Sequence, residues 1–193
     1  MANTDAPFGF VPTRYRSGAP YNGACTRYYI GTGDGNNLFI GDPVALSGTG
    51  ATDGTPGIVR ATAGAGSSAG DGMLGAVVGF ENLTSDNLSR TYRPASTEMY
   101  VLVADDPNLE FEIQEDGTGA VTSIGLNANF VIGTGNTATG VSAVELATST
   151  VATTATLDMR ILGLVKRPGN DVGANANWRV SINNHPFLSL EGE

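Results

Sequence analysis

From Ala24 onward, apolar residues fall into short runs separated by clusters of Gly, Asn, Asp and Thr, the pattern of strands divided by turns. The runs predict ten strands: Cys25–Gly31, Asn37–Leu46, Gly57–Ala63, Met73–Phe80, Glu98–Ala104, Leu109–Gln114, Asn129–Gly133, Val141–Leu146, Met159–Lys166 and Trp178–Asn183. The sharpest is Leu109–Gln114, where Leu109, Phe111 and Ile113 point one way and Glu110, Glu112 and Gln114 the other. Glu98–Ala104 is apolar on both faces, as a central strand would be. Arg160 and Arg179 take alternate positions within otherwise apolar runs. Helical signals are few: Ala147–Leu157 is rich in threonine and has no charged stripe, and Asn82–Asn87 offers one short turn. Such a chain is expected to be all-β, an antiparallel sandwich, jelly roll or barrel. There is no repeat of fixed period to suggest a propeller or solenoid.

Residues 1–23 read differently. They hold Pro7, Pro12 and Pro20, the aromatic residues Phe8, Phe10, Tyr15 and Tyr21, and Arg14 and Arg16, with no strand or helix period. The expected organisation is an extended N-terminal arm, 1–23, ahead of a β domain, 24–193. The plain reading is a frayed terminus; against it, four rings are unusual for a free tail, and the other reading is an arm that docks, on its own body or on a neighbouring subunit. Phe8, Phe10, Arg14, Tyr15, Arg16 and Tyr21 are therefore the candidate partner-binding residues, the rings as anchors and the guanidiniums as bidentate donors.

Composition narrows the classes of function. The 193 residues include 27 glycines and 9 prolines, and only 15% are charged, which suits a turn-rich β protein. A net charge of −9 argues against a broad phosphate-binding surface, so nucleic acid is not an expected partner. No apolar run reaches the ~18 residues of a membrane span, and the opening residues lack the features of a secretory leader. A single cysteine, Cys25, excludes an internal disulfide framework. Nine of the ten basic residues are arginine. Arginine's planar fork suits fixed pairing with carboxylates, and it is enriched where lysine is depleted, at interfaces.

The segments that could carry chemistry have plainer readings. Gly66–Gly70 matches the G-x-S-x-G pattern around Ser68, and the lone histidine, His185, follows several aspartates. A nucleophile elbow needs a strand before it and a helix after it, whereas here the sequel is a turn into another strand. Gly31–Gly35 and Gly64–Gly70 lack the lysine and the helix of a phosphate loop. Asp34, Asn36, Asn37 and Asp42, and again Asp105, Asp106 and Asn108, have oxygen ligands suited to calcium but not the spacing of a calcium loop; turns explain them more simply. The sequons at Asn82 and Asn87 are coincidental without a leader. His185 is expected to make structural hydrogen bonds at a strand end. No catalytic, cofactor or metal residue is assigned.

Several phrases taken together resemble a known group: Ala6–Pro12, Ile40–Val44, Gly75–Phe80, Val103–Gln114, Gly125–Ala128, Gly133–Asn136, Ile161–Asn170 and Trp178–His185. The set resembles structural proteins of tailed bacteriophages of marine and freshwater bacteria, those assigned as head decoration or cement proteins. The resemblance implies a non-enzymatic virion protein, made in the host cytoplasm, that binds the outer surface of the capsid. It implies as partner the major capsid protein, commonly clamped by a homotrimer, with no cofactor. Alternatives from the residues are a tail or head-fibre component, or a β-sandwich that binds host-surface sugar.

Overall fold

The structure, a computed structural model, describes residues 3–64, 72–81 and 90–188. The chain is all-β, with twelve strands and three isolated 3-10 turns among those residues: β1 Val11–Tyr15, β2 Thr26–Ile30, β3 Pro43–Gly50, β4 Pro56–Arg60, β5 Gly75–Glu81, β6 Met99–Ala104, β7 Leu109–Gln114, β8 Asn127–Ala128, β9 Phe130–Ile132, β10 Val144–Leu146, β11 Met159–Leu164 and β12 Asn177–Ile182. Each of the ten predicted strands contains or overlaps one of these. The predicted Asn37–Leu46 starts late, because Gly41 is left-handed (φ +93°) and a ladder cannot run through it.

Two layers result. Strands β2-β4-β3-β5-β6 close a small barrel, and β1-β7-β12-β11-β8 form an antiparallel sheet, with β9 and β10 as a separate ribbon. Alternation fills the barrel: Tyr28 and Ile30 of β2, Ile58 of β4 and Met99, Val101 and Val103 of β6 point inward. Outward positions of β3 and β5 belong to the core of the sheet: Ala45 and Ala76 are buried in one cluster with Phe111, Trp178 and Val180, and Val78 packs against it. The barrel wall made by β3 and β5 thus lies on one face of the sheet. In the strand order β2 stands away from that contact, so its outward residues Arg27 and Tyr29 face solvent on the far side.

The reading of residues 1–23 as an arm without strand structure is corrected. Val11–Tyr15 is a strand that pairs with β7, at Val11 with Glu112 and Tyr15 with Leu109. The outer edge of β1 is itself covered: the amide of Tyr21 donates to the Thr13 carbonyl and that of Tyr15 to the Ala19 carbonyl. Phe10 is 1% exposed and meets Phe111 and Phe130 edge-on, with centroids 6.0 and 5.9 Å away. Its entry depends on two glycines. Gly9 (φ +76°) and Gly41 lie backbone to backbone; a Cβ on Gly9 would meet the Gly41 carbonyl, which accepts the Phe10 amide hydrogen at 2.8 Å. Two of the quoted phrases, Ala6–Pro12 and Ile40–Val44, are therefore one packing unit.

Candidate functional site

Along β7 the inward residues Leu109, Phe111 and Ile113 leave Glu110 and Glu112 on the opposite face of the sheet, away from the barrel. The antiparallel register sets Arg14 of β1 beside Glu110, Arg179 of β12 beside Glu112, and Arg160 of β11 beside Ser181. One carboxylate oxygen of Glu110 accepts from Arg14 Nε at 2.7 Å and lies 2.9 Å from Arg179 Nε. Glu112 pairs with Arg167 at 2.6 Å. Arg16 Nη2 donates to Ser181 Oγ at 3.0 Å, and Arg160 Nε donates to Asn127 Oδ1 at 3.3 Å.

Among the described residues, five arginines thus share one face with Glu110 and Glu112, three more positive than negative charges in this set, in a chain whose formal charge is −9. Their depths differ in a consequential way. The Glu110 and Glu112 side chains are only 8% and 12% exposed, whereas those of Arg14, Arg179 and Arg167 are 42%, 32% and 47% exposed. The carboxylates act as posts that fix the guanidiniums, and the guanidiniums present their remaining donors outward. Beside them Phe8, Val11, Glu112 and Arg167 line a notch of about 280 Å³. An apolar notch rimmed by ordered arginine is suited to an apolar anchor flanked by carboxylates.

The six residues singled out from sequence divide accordingly. Arg14 and Arg16 stand on this face and Phe8 lines its notch. Tyr15 and Tyr21 are half-buried against the core, 6.4 Å apart between centroids, with hydroxyls donating to Asn22 and Ala24. Phe10 is corrected: as a buried core residue it offers nothing to a partner. Arg160, Arg167 and Arg179 were missed as site residues. The alternation of Arg160 and Arg179 was visible, but their meeting with Arg14 depends on strand order.

The other candidates resolve into structural roles. Asp34 accepts from the Asn36 and Arg60 amides and lies 3.9 Å from Arg93, which is fully buried. Arg93 donates to the carbonyls of Thr97, Asn36 and Gly31 at 2.7–2.8 Å, so one cation pins two loops at the barrel end. Asn37 accepts from the Ala95 amide and Asp42 from the Phe39 amide. Asp105 accepts from the hydroxyls of Thr26 and Tyr28, and Asp106 from the Asn108 amide. Among the described residues no group of His, Cys, Asp and Glu is arranged to hold a metal ion. His185 is buried: Nδ1 accepts from the Phe187 amide and Nε2 faces the Asp105 carbonyl at 3.0 Å. Burial holds its pKa below the usual imidazole value. Ser68 with its glycines, and the sequons at Asn82 and Asn87, lie outside the described residues. No helix among the described residues is long and apolar enough to cross a membrane. Comparison with family models, with curated proteins and with solved structures finds no match.

Proposed function

We propose that this chain is a structural virion protein of a tailed bacteriophage, a decoration or cement protein that clamps neighbouring major capsid proteins on the outside of the head. The observation that carries the reading is the arginine face: a preorganised, arginine-rich surface on an acidic β protein, with an apolar notch in it. The face suits a partner surface that offers carboxylates around an apolar side chain. Guanidiniums held by sunken glutamates lose little further rotamer freedom on contact, which favours affinity. The acidic remainder of the surface keeps the free chain soluble and averse to the packaged genome. The resemblance in sequence supplies the class of partner and the homotrimer over capsid joints.

The test is co-sedimentation with heads that lack the protein. Arg16 and Arg160 are exposed, so Arg16→Glu with Arg160→Glu should leave the melting temperature nearly unchanged and weaken capsid binding at least tenfold. Binding by the unaltered chain should fall as salt rises. Capsid binding indifferent to both charge reversal and salt would overturn the reading. Sedimentation of the free and shell-bound chain gives the association state, with a trimer expected rather than a 19.8 kDa monomer.

A further inference from the structure

The barrel wall on the far side from the sheet has its own ordered surface. Arg27 lies with its guanidinium carbon 3.5 Å from the centroid of the Tyr100 ring. Its Nε donates to Glu81 at 2.8 Å, while the Tyr100 hydroxyl donates to Asp53 at 2.7 Å. Tyr29 stands beside this pair, 5.7 Å from Tyr100 between centroids. The other side of Tyr29 borders a groove of about 240 Å³. Gly31, Gly33, Gly57, Ser47, Thr49 and Val59 also line it, with Ser47 and Thr49 packed directly over Gly57. The hydroxyls of Ser47 and Thr49 are 2.9 Å apart.

We propose that this groove binds one ring of a neutral saccharide, stacked on Tyr29, with its hydroxyl edge toward Ser47 and Thr49. The lining decides the class. Its one carboxylate, Asp34, is buried and already occupied by the Asn36 and Arg60 amides, so the groove itself offers no charge to an ionic ligand. The nearby Arg27 is held by Glu81, Asp53 and Tyr100, and is not presented to an anion. A peptide adding as a strand needs an open edge with room beside it, but β2 and β4 already meet at Tyr29 and Gly57, which leaves no width for a strand between them, and their other edges pair with β6 and β3. What remains is one aromatic ring and two hydroxyls lining the same groove, a set that suits a ligand with one C–H face and a polar rim. The volume falls below the ~300–1,000 Å³ of sites for drug-sized ligands, which limits the occupant to about one ring. With one stacked ring in an open groove, a dissociation constant on the order of millimolar is expected. The inference does not rest on capsid attachment, since the groove shares no residue with the arginine face or its notch.

The test is an amide-resolved NMR titration of the full chain with glucose, galactose, mannose and N-acetylglucosamine at up to tens of millimolar. At least one sugar should shift the amides of Tyr29, Gly31, Gly33 and Thr49 saturably. Tyr29→Phe should keep binding within about threefold, and Tyr29→Ala should abolish it. Gly33→Val is the second variant: a Cβ there meets nothing within 4 Å, so it should fill the groove without disturbing the fold and also abolish binding. No saturable shift with any of the four sugars, or shifts that survive both Tyr29→Ala and Gly33→Val, would overturn the proposal. The Arg16→Glu and Arg160→Glu pair should leave the titration unchanged, which separates this result from that of the capsid assay.

Discussion

The barrel and the sheet are built on the same alternation of inward and outward residues, but they draw on the chain differently. The barrel uses strands between residues 26 and 104 and closes on itself with one parallel contact, Tyr29 with Gly57. The sheet joins both ends of the chain: β1 at residues 11–15 pairs with β7 at 109–114, which pairs with β12 at 177–182. Closing such distant pairs costs loop entropy before any contact is gained, so the sheet is the part that depends on every segment being present. Its outer face shows the same dependence. Arg14 reaches Arg160 and Arg179 only through β7, from the other end of the sheet's stretch of chain, whereas Arg27 and Tyr100 both lie within the barrel's own stretch, on the paired strands β2 and β6.

The largest expected effect breaks this contrast directly. Deleting residues 1–23 removes β1 and the Phe10 ring from between Phe111 and Phe130, and should leave the chain largely unfolded or insoluble. Phe10→Ala alone should cost about 3–5 kcal/mol through lost burial and the cavity left behind, read from the denaturant midpoint. A truncated chain that melts like the full one would show that the sheet does not need its edge strand. A comparable blow to the barrel is Arg93→Met. It leaves the carbonyls of Gly31, Asn36 and Thr97 and the carboxylate of Asp34 without their buried cation, at a cost of about 3 kcal/mol. Arg93→Lys should not restore it, because one ammonium cannot span the fork of three carbonyls.

The contrast also explains what could be read from sequence. Ten strands were legible because their apolar runs are local and bounded by turn residues. β1 was not, because Pro12 and the flanking prolines hide a period of two, and because an edge strand tolerates proline where a central one does not. β8 is two residues long, too short to show any period. Of the candidate site, the surplus of arginine and the outward alternation on β11 and β12 were visible. Its assembly was not, since the sheet order that gathers Arg14, Arg160 and Arg179 is fixed by non-local pairing.

A smaller effect within the sheet layer is pH-dependent. Glu115 is buried, and desolvation raises its carboxyl pKa, while the nearby backbone amides of Gly119 and Ala176, the latter donating to Oε1 at 3.4 Å, oppose the shift. A carboxyl raised in the fold above its ordinary 4.5 contributes stability below that pH and loses it as pH rises through the folded value. Glu115→Gln should flatten this decline above pH 4.5 in a series of denaturant midpoints. It should also cost about 1–3 kcal/mol at neutral pH, because the amide nitrogen cannot accept the bonds the second oxygen accepts. An unaltered decline in the variant would assign the pH dependence to another group.

The smallest effect belongs to the barrel's outer wall, where the sign is reversed. Asp53 is exposed, yet its carboxyl is held down to about 2, first by the Thr55 amide, then by the hydroxyls of Tyr100 and Thr55 and the charge of Arg27. A carboxyl lowered in the fold contributes its stability above the ordinary value of 3.8 and loses it as pH falls through about 2. Since water screens the whole network, the melting midpoint of Tyr100→Phe at neutral pH should match that of the unaltered chain within error. The carboxyl resonance of Asp53 is the sensitive readout. Its titration midpoint should lie near 2 in the unaltered chain and rise in Tyr100→Phe, which deletes one donor to the ionised form and spares the ring beneath Arg27. A midpoint near 3.8 in the unaltered chain would mean that the Tyr100–Asp53–Arg27 network is not formed in solution. The wall would then lack the order that Tyr29 needs as a stacking platform, so this modest titration bears directly on whether the barrel, like the sheet, presents a prepared surface.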